Sequence, residues 1–262
     1  IRFFAELIKN FFQTHIFIIW GAPFNILSFR MKGALPFMGC GARIGTISRK
    51  AGQNFQDSFG ISGYSLASGQ VTTNGLWTNL YTGGGSGVIV AAASGRAHIM
   101  GQQPLVCTSG SGLDSYATLT VTNAVFQDFD MTIDVMTFSQ TRTNWTAKTH
   151  EVGAVVWRYT DATHYYYFMQ KPYGVEFGKQ DGTQIFLKRP NVGQTDLTLD
   201  TWSIYRIRAE GSLHQIWKDG TLVVSHGDTG SSGATAAMAA GKIGLYTIDS
   251  RALYDNVDIN SI

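Results

Sequence analysis

The sequence is short of charge, proline and cysteine, and these shortages exclude several protein classes. Only 15% of its 262 residues are charged and 44% are hydrophobic, which is too apolar for an intrinsically disordered chain. Twenty basic against eighteen acidic residues leave a net charge of +2, so no strong field gathers nucleic acid. The two cysteines, Cys40 and Cys107, can form neither a disulfide framework nor a CxxC zinc site.

The first fifty residues also lack acidic groups, with Glu6 as the one exception. Their most apolar stretch, residues 11–27, is interrupted by polar residues, glycine and proline, and it falls short of the roughly 20 apolar residues that span a bilayer. A secretory signal is one alternative, and an extension upstream of a true start at Met31 is another. We favour an apolar arm, residues 1–50, that docks on other subunits of a larger assembly. A membrane partner is not expected.

From about residue 51 the chain alternates short apolar and polar runs with glycine-rich turns. Thirty glycines, five prolines and 13% aromatic residues favour many short strands. Thirteen strands are predicted, at 87–93, 97–100, 117–122, 128–137, 151–159, 165–170, 174–178, 184–188, 202–209, 213–218, 221–225, 242–247 and 252–260. Without alternating helices, they predict an all-β domain over 51–262, a two-sheet antiparallel sandwich.

One connection between strands can be predicted in detail. Asp219 and Gly220 separate two alternating runs by two residues. An Asp-Gly pair tolerates the positive φ angles that a type I′ turn requires. The sequence therefore predicts a tight β-hairpin here.

Three segments carry a family resemblance. They are GAVVWRYTDATHYYYFMQ (153–170), WSIYRIRAEGSLHQIWKDGTLVVSHGD (202–228) and GKIGLYTIDSRALYDNVDI (241–259). Together they resemble the concanavalin A-like lectin/glucanase superfamily, and within it the laminin-G-like jelly-roll domains. The likeness covers about four-fifths of the chain. It implies a jelly roll whose concave face forms a groove for sugars, and its specificity is for fold rather than activity.

The candidate glycan-binding residues combine this resemblance with the chemistry of sugars. Sugar rings stack on aromatic faces while their hydroxyls need polar partners. The resemblance implies that Arg158 points into the groove with Tyr165 or Tyr167 beside it, although period-two alternation leaves open which face is core. Trp77 and Trp145 are added because each lies in a polar or glycine-rich stretch, predicted as a loop at the rim.

Catalytic residues are hard to find in the sequence. A glycosidase needs two facing carboxylates, yet none of the four glutamates lies in the Glu-x-Asp-x-(x)-Glu motif of the superfamily's laminarinase-like enzymes. Alternation places Asp128, Asp130 and Asp134 on one strand face, which is also the pattern of an ordinary half-exposed strand. A lyase with Tyr165 as base and Arg158 as neutralising group is a further alternative. No catalytic residue is therefore assigned.

The resemblance also implies a structural calcium ion between the first and last strands. Calcium takes several oxygen ligands, and Asp255 with Asp57 could supply two carboxylates. The alternative is that Asp255 bonds to backbone amides in a turn.

The sequence thus predicts a non-catalytic, lectin-like carbohydrate-binding module. We expect it to be displayed through residues 1–50 on an extracellular assembly, a cell surface or a virion. The alternatives are a purely structural decoration or fibre protein, and a glycoside hydrolase or polysaccharide lyase of the same fold with atypical catalytic residues.

Overall fold

The computed structural model describes residues 54–60, 64–84, 87–90, 94–96, 99–106, 108, 116–142, 150–188, 197–230 and 237–262. The chain divides into two units, Ile1–Gly45 and Thr46–Ile262, and every described residue belongs to the second. Predictions about the arm at 1–50, Cys40, Cys107 and Trp145 lie outside the described residues.

Sixteen β-strands and no helix form the regular structure of these ranges. The strands are β1 Asn54–Asp57, β2 Tyr64–Leu66, β3 Trp77–Tyr81, β4 Gly87–Val90, β5 Met100–Gln103, β6 Ala117–Thr122, β7 Phe129–Gln140, β8 Gly153–Asp161, β9 His164–Lys171, β10 Gly174–Asp181, β11 Thr183–Lys188, β12 Ser203–Glu210, β13 Leu213–Lys218, β14 Thr221–Gly227, β15 Lys242–Ile248 and β16 Ser250–Ser261. In the part of the chain that the structure describes, no helix is long and apolar enough to cross a membrane.

The strands form two antiparallel sheets. The nine-stranded sheet has the order β14-β13-β12-β7-β16-β5-β4-β2, with β1 paired to β16. The seven-stranded sheet has the order β11-β10-β9-β8-β15-β6-β3. Neighbours in the middle of each sheet are far apart in sequence, as with β7 beside β16 and β15 beside β6. The prediction of an all-β, two-sheet antiparallel sandwich is confirmed.

The core lies between the two sheets and follows from the alternation of the strands. On β7, Phe129, Met131, Ile133 and Val135 point inward and are buried. They pack in one cluster with side chains of the opposite sheet, such as Trp157 on β8. Burying a side chain of this size contributes roughly 1.5–3 kcal/mol relative to leaving it in water, so the sandwich is held mainly by this layer.

The hairpin predicted at Asp219-Gly220 is confirmed. β13 and β14 pair antiparallel on either side of it. Asp219 has a φ of 48° and Gly220 a φ of 81°, the positive angles at both central positions that define a type I′ turn.

Twelve predicted strands overlap an observed strand over most of their length, the one predicted at 97–100 shares only Met100 with β5, and three observed strands were not predicted. β1, β2 and β3 are only four, three and five residues long. Strands this short give little periodic signal. This omission affects Trp77, which was predicted on a loop and instead begins β3.

Candidate functional site

The seven-stranded sheet carries a second apolar layer on the face opposite the core. On β8, Val155 and Trp157 belong to the core, whereas Ala154 and Val156 belong to a separate cluster. Alternation along a strand requires these two sets to lie on opposite faces. The outer cluster consists of Leu119, Val121, Val152, Ala154, Val156, Tyr167 and Met169, none more than 8% exposed. We call this layer the floor.

Tyrosines gather on this floor. Tyr159, Tyr165 and Tyr246 pack against it and Tyr167 is part of it, while Tyr81 on β3 pairs with Leu119 of the floor. Tyr165 and Tyr167 were predicted as ligand-binding residues, and alternation on β9 sends Tyr166 and Phe168 into the core instead. We call the surface formed by these five tyrosines, 81, 159, 165, 167 and 246, the tyrosine face.

Rings of the tyrosine face meet at defined angles, both within β9 and between β8 and β9. The centroids of Tyr159 and Tyr165 are 5.8 Å apart with planes inclined by 32°. Those of Tyr165 and Tyr167 are 6.5 Å apart at 63°. A Cβ atom at Gly178 would lie 2.5 Å from the Tyr167 hydroxyl, so glycine is required for that ring to cross β10. The rings therefore form a fixed, angled surface.

Four hydroxyl groups of the tyrosine face are free. Within the described residues, the hydroxyls of Tyr81, Tyr159, Tyr165 and Tyr246 make no hydrogen bond. Tyr167 differs, because its hydroxyl donates to Glu176 Oε1 at 3.2 Å and accepts from Gln184 Nε2 at 3.1 Å. A half-buried hydroxyl without a partner loses hydration and gains nothing in return. The four groups are thus available to a ligand.

The free hydroxyls come from the adjoining strands β9, β8 and β15 and from the more distant β3 of the same sheet. Tyr165 on β9 and Tyr81 on β3 are four strands apart, roughly 19 Å at about 4.8 Å per strand. Burial raises the pKa of Tyr81, and the nearby Tyr246, Tyr165 and Tyr159 raise it further. Burial followed by Tyr165 likewise raises the pKa of Tyr246. Neighbouring phenols on this face therefore disfavour one another's ionised form.

Burial also keeps these phenols neutral. It raises the pKa of Tyr165 to about 12, with a smaller contribution from Tyr159. It raises the pKa of Tyr159 above its usual 10, with Asp161 adding to the effect. A neutral phenol both donates and accepts hydrogen bonds, which is what sugar hydroxyls require.

An ion pair lies beside Tyr167 on the same face. Lys171 Nζ lies 2.5 Å from Glu176 Oε2, and both side chains are buried. The pair supplies polar atoms without adding net charge to the tyrosine face.

The prediction that Arg158 points into the groove is wrong. Arg158 is 1% exposed and has a φ of 49°, at a register shift between Trp157 and Asp161. This β-bulge turns the side chain away from the outer face. Its guanidinium donates to the carbonyl oxygens of Gln127, Gly211 and Met238 at 2.7–3.1 Å and to Asp128 Oδ1 at 3.1 Å. Arg158 therefore joins four chain segments.

The prediction for Trp77 is also wrong. Its side chain is 0% exposed, lies edge-to-face with Phe55 at 5.4 Å and donates from Nε1 to Asp57 Oδ2 at 2.8 Å. A ring with no exposed face cannot stack on a sugar. Trp145 lies outside the described residues and stays a prediction.

Asp128, which precedes β7, and Asp130 and Asp134 on β7 all form ion pairs. Each is held by an arginine: Asp128 by Arg158 at 3.1 Å, Asp130 by Arg206 at 2.6 Å and Asp134 by Arg96 at 2.6 Å. Asp130 and Asp134 lie on the outer face of the nine-stranded sheet, away from the tyrosine face. This is the ordinary half-exposed strand that alternation also allowed.

The two carboxylates of the predicted calcium site belong to separate networks. Asp57 accepts hydrogen bonds from the Phe59 amide at 2.8 Å and from the side chains of Trp77 and Asn74. Asp255 lies 2.7 Å from Arg96 and accepts from the Asn256 amide. Among the described residues, no group of three or more His, Cys, Asp or Glu has the arrangement of a metal site. Calcium binding stays a prediction.

Sequence reasoning missed Tyr81, Tyr159 and Tyr246. Tyr246 could have been found, because the strand that contains it was predicted with nearly its observed bounds. Regular alternation would place Tyr159 on the same face as Trp157, but the bulge at Arg158 reverses the alternation and leaves no signal in the sequence.

Three comparisons with known proteins bear on this arrangement. The model of the 3-keto-alpha-glucoside-1,2-lyase-like domain family matches residues 65–260. Among solved structures, the carbohydrate-binding module CBM66 from Bacillus subtilis superposes with a TM-score of 0.51 at 18% identity, covering 76% of this chain and 99% of that one. A protein of unknown function with a galectin-like fold, from the same organism, gives a TM-score of 0.49 at 10% identity, covering 79% of this chain and 98% of that one. No curated protein matches the sequence. The predicted concanavalin A-like jelly roll is confirmed.

Proposed function

This chain belongs to the 3-keto-alpha-glucoside-1,2-lyase-like domain family, and from that premise we propose that it binds a carbohydrate on the tyrosine face. The single observation that carries the proposal is the set of four free hydroxyls at Tyr81, Tyr159, Tyr165 and Tyr246. They stand on a buried apolar floor, so one surface offers aromatic rings for the C–H faces of a sugar and hydroxyls for its polar edge.

Binding without catalysis is supported by the ionisation states and contacts of the candidate catalytic side chains. An elimination needs a base near the proton that it removes, and the lyase alternative named Tyr165 with Arg158 for this purpose. Burial raises the pKa of Tyr165 to about 12, which disfavours the phenolate, and Arg158 is buried in contacts elsewhere. The carboxylate of Glu176 is already paired with Lys171.

Catalysis by Glu176 is the second candidate, because the family is named for a lyase. The test is incubation of the protein with a 3-keto-α-glucoside and measurement of the released aglycone. Turnover that is lost in Glu176→Gln while the protein stays folded would overturn the proposal of binding alone.

We expect weak binding at each site, with a Kd on the order of micromolar to millimolar. A wet face exchanges hydrogen bonds to water for hydrogen bonds to sugar, with little net gain. The measurement should therefore present the protein multivalently, on beads or as a fused oligomer, to a broad glycan array.

Paired tyrosine variants separate binding from folding. Tyr165→Phe and Tyr246→Phe keep the rings and remove free hydroxyls, so each should weaken binding several-fold and leave the melting temperature nearly unchanged. Tyr205→Phe is the matched control, because it removes an interior hydroxyl that donates to Gln170 at 2.5 Å. It should lower the melting temperature and leave binding unchanged.

Two outcomes would contradict the proposal. An array that stays blank would favour the purely structural alternative, a decoration or fibre protein. Binding that is unaffected by Tyr165→Phe and Tyr246→Phe, in folded protein, would move the site away from the tyrosine face.

We further propose an extracellular or surface location, on a cell or a virion, with attachment through residues 1–50. The support is compositional, since this stretch holds many large apolar side chains and one acidic residue. Deleting residues 1–50 should give a folded monomer, while the longer chain should be oligomeric or assembly-bound by light scattering. A monomeric longer chain together with an unfolded truncation would contradict the proposal.

A further inference from the structure

One lysine on the tyrosine face has no ion-pair partner among the described residues. Lys242 begins β15 and is partly exposed. Ile243 and Leu245 of the same strand belong to the core, so alternation places Lys242 on the outer face together with Tyr246. Lys242 is paired with Tyr159 across β15 and β8, and the Cβ atoms of directly opposed residues are roughly 5 Å apart. The ammonium group can therefore reach a ligand bound at Tyr159.

Two carboxylates, one on β10 and one in the turn after β15, are already paired with cations. Glu176 Oε2 lies 2.5 Å from Lys171 Nζ on the same face. Asp249 Oδ2 lies 2.7 Å from Arg142, and neither of these two side chains is exposed. Both carboxylates are therefore neutralised by residues other than Lys242.

Asp161, at the end of β8, has other partners. Its Oδ1 accepts hydrogen bonds from the amide and the hydroxyl of Thr163, both at 2.7 Å, and contacts His164 Nδ1 at 2.9 Å. The side chain is 55% exposed, so water screens its charge. Within the described residues, Lys242 is thus the cation of the tyrosine face that no carboxylate neutralises.

We propose that the tyrosine face takes an acidic sugar, a uronate, whose carboxylate pairs with Lys242. This inference rests on the proposed carbohydrate binding and names the class of sugar that the same site takes.

The free phenols suit an anion as well as a neutral hydroxyl. A carboxylate that leaves water needs a cation or several hydrogen-bond donors. Burial raises the pKa of Tyr165 and of Tyr159, so these phenols keep the protons that they can donate. Beside them, Lys242 supplies the positive charge. A uronate would therefore lose less on leaving water here than on a surface of neutral groups alone.

The experiment uses matched pairs of ligands and the full chain. The probes are trisaccharides of glucose, galactose and mannose, and the same trisaccharides with each C6 oxidised to the carboxylate. Titration calorimetry should give about tenfold tighter binding of at least one uronate than of its neutral parent, a difference of about 1.4 kcal/mol. Raising the salt concentration should narrow this gap, because screening weakens the attraction.

Three variants test whether Lys242 is responsible. Lys242→Gln should lower the affinity for the uronate to that for its neutral parent. Lys242→Arg keeps the charge and should keep the preference. Lys218→Gln is the matched control, since it removes the same charge from β13 in the other sheet, and it should change neither affinity.

Two results would overturn this inference and leave the proposed carbohydrate binding intact. One is that every uronate binds no tighter than its neutral parent, and the other is a preference for the uronate that survives Lys242→Gln. Absence of binding to every neutral and acidic sugar, in folded protein, would overturn both proposals.

Discussion

The interior of the sandwich and the tyrosine face use the same residue in opposite ways. Inside, the hydroxyls of Tyr166, Tyr205 and Tyr254 reach Asp228, Gln170 and the Tyr246 carbonyl at 2.6, 2.5 and 2.6 Å. Outside, the hydroxyls of four tyrosines have no partner in the described residues. A buried polar group is stable only when it is paired. Free phenols are therefore tolerated where water or a ligand can reach them, and the proposed binding site depends on this contrast.

The largest expected effect comes from breaking an interior pair. Lys179 is 0% exposed and its Nζ lies 2.8 Å from Asp228 Oδ2, which also accepts from the Tyr166 hydroxyl. Lys179→Met keeps the volume and leaves the buried carboxylate without its cation. We expect a loss of about 3–5 kcal/mol in the free energy of unfolding, measured by urea denaturation.

The exposed pair of Arg206 and Asp130 supplies the control. Its side chains form a two-pronged contact at 2.6 and 2.8 Å on the outer face of the nine-stranded sheet. Arg206→Met should cost less than about 1 kcal/mol, because water screens the pair. Similar losses of unfolding free energy in Lys179→Met and Arg206→Met would contradict the expected difference between buried and exposed ion pairs.

The next effect is a loss of stability in mild acid. Burial, followed by the nearby Arg158, lowers the pKa of His214 from 6.5 to about 3. Between these two pKa values His214 is protonated in the unfolded chain but neutral in the folded protein. The free energy of unfolding is therefore at its full value above about pH 6.5 and decreases as the pH falls. The loss is about 2 kcal/mol by pH 5. Burial also lowers the pKa of His150, which adds in the same direction.

Denaturation at a series of pH values measures this effect. His214→Gln can still accept the hydrogen bond that Trp157 Nε1 donates to the ring at 3.2 Å, so the variant should fold with a shallower pH dependence. His164→Gln, which removes a partly exposed histidine at the start of β9, serves as the control. An unchanged slope in His214→Gln would show that another group dominates.

The interior could largely be predicted from sequence, because side chains along a strand alternate between the two faces of the sheet. Alternation placed Asp128, Asp130 and Asp134 on one strand face, and the residues that alternate with them, Phe129, Met131, Ile133 and Val135, are all buried. The Asp219-Gly220 turn was equally readable, since few residue pairs tolerate two positive φ angles. Both features depend on the spacing of residues that are close together in the chain, and this spacing can be read directly from the sequence.

The tyrosine face depends on information that the sequence does not display. Tyr81 and Tyr165 belong to the same sheet only through the strand order β9-β8-β15-β6-β3, which joins segments far apart in the chain. The bulge at Arg158 reverses the alternation and exchanges the faces of Arg158 and Tyr159. Trp77 was misplaced for a related reason, because glycine and polar neighbours suggest a loop while its ring fills the core.

Calcium binding at Asp57 and Asp255 is the remaining prediction, and its expected effect is the smallest. Both carboxylates accept hydrogen bonds from protein donors, as interior polar groups do. Since Arg96 already neutralises Asp255, a calcium ion would have to compete with a guanidinium.

We therefore expect millimolar calcium to raise the melting temperature of chelator-treated protein by less than about 1 °C, because a ligand stabilises only in proportion to its affinity for the folded state. Magnesium at the same concentration controls for ionic strength. A rise of several degrees that Asp255→Asn abolishes would establish the calcium site. It would also show that a carboxylate with protein partners can still serve a ligand, and the contrast between paired and free groups would then no longer identify functional surfaces in this molecule.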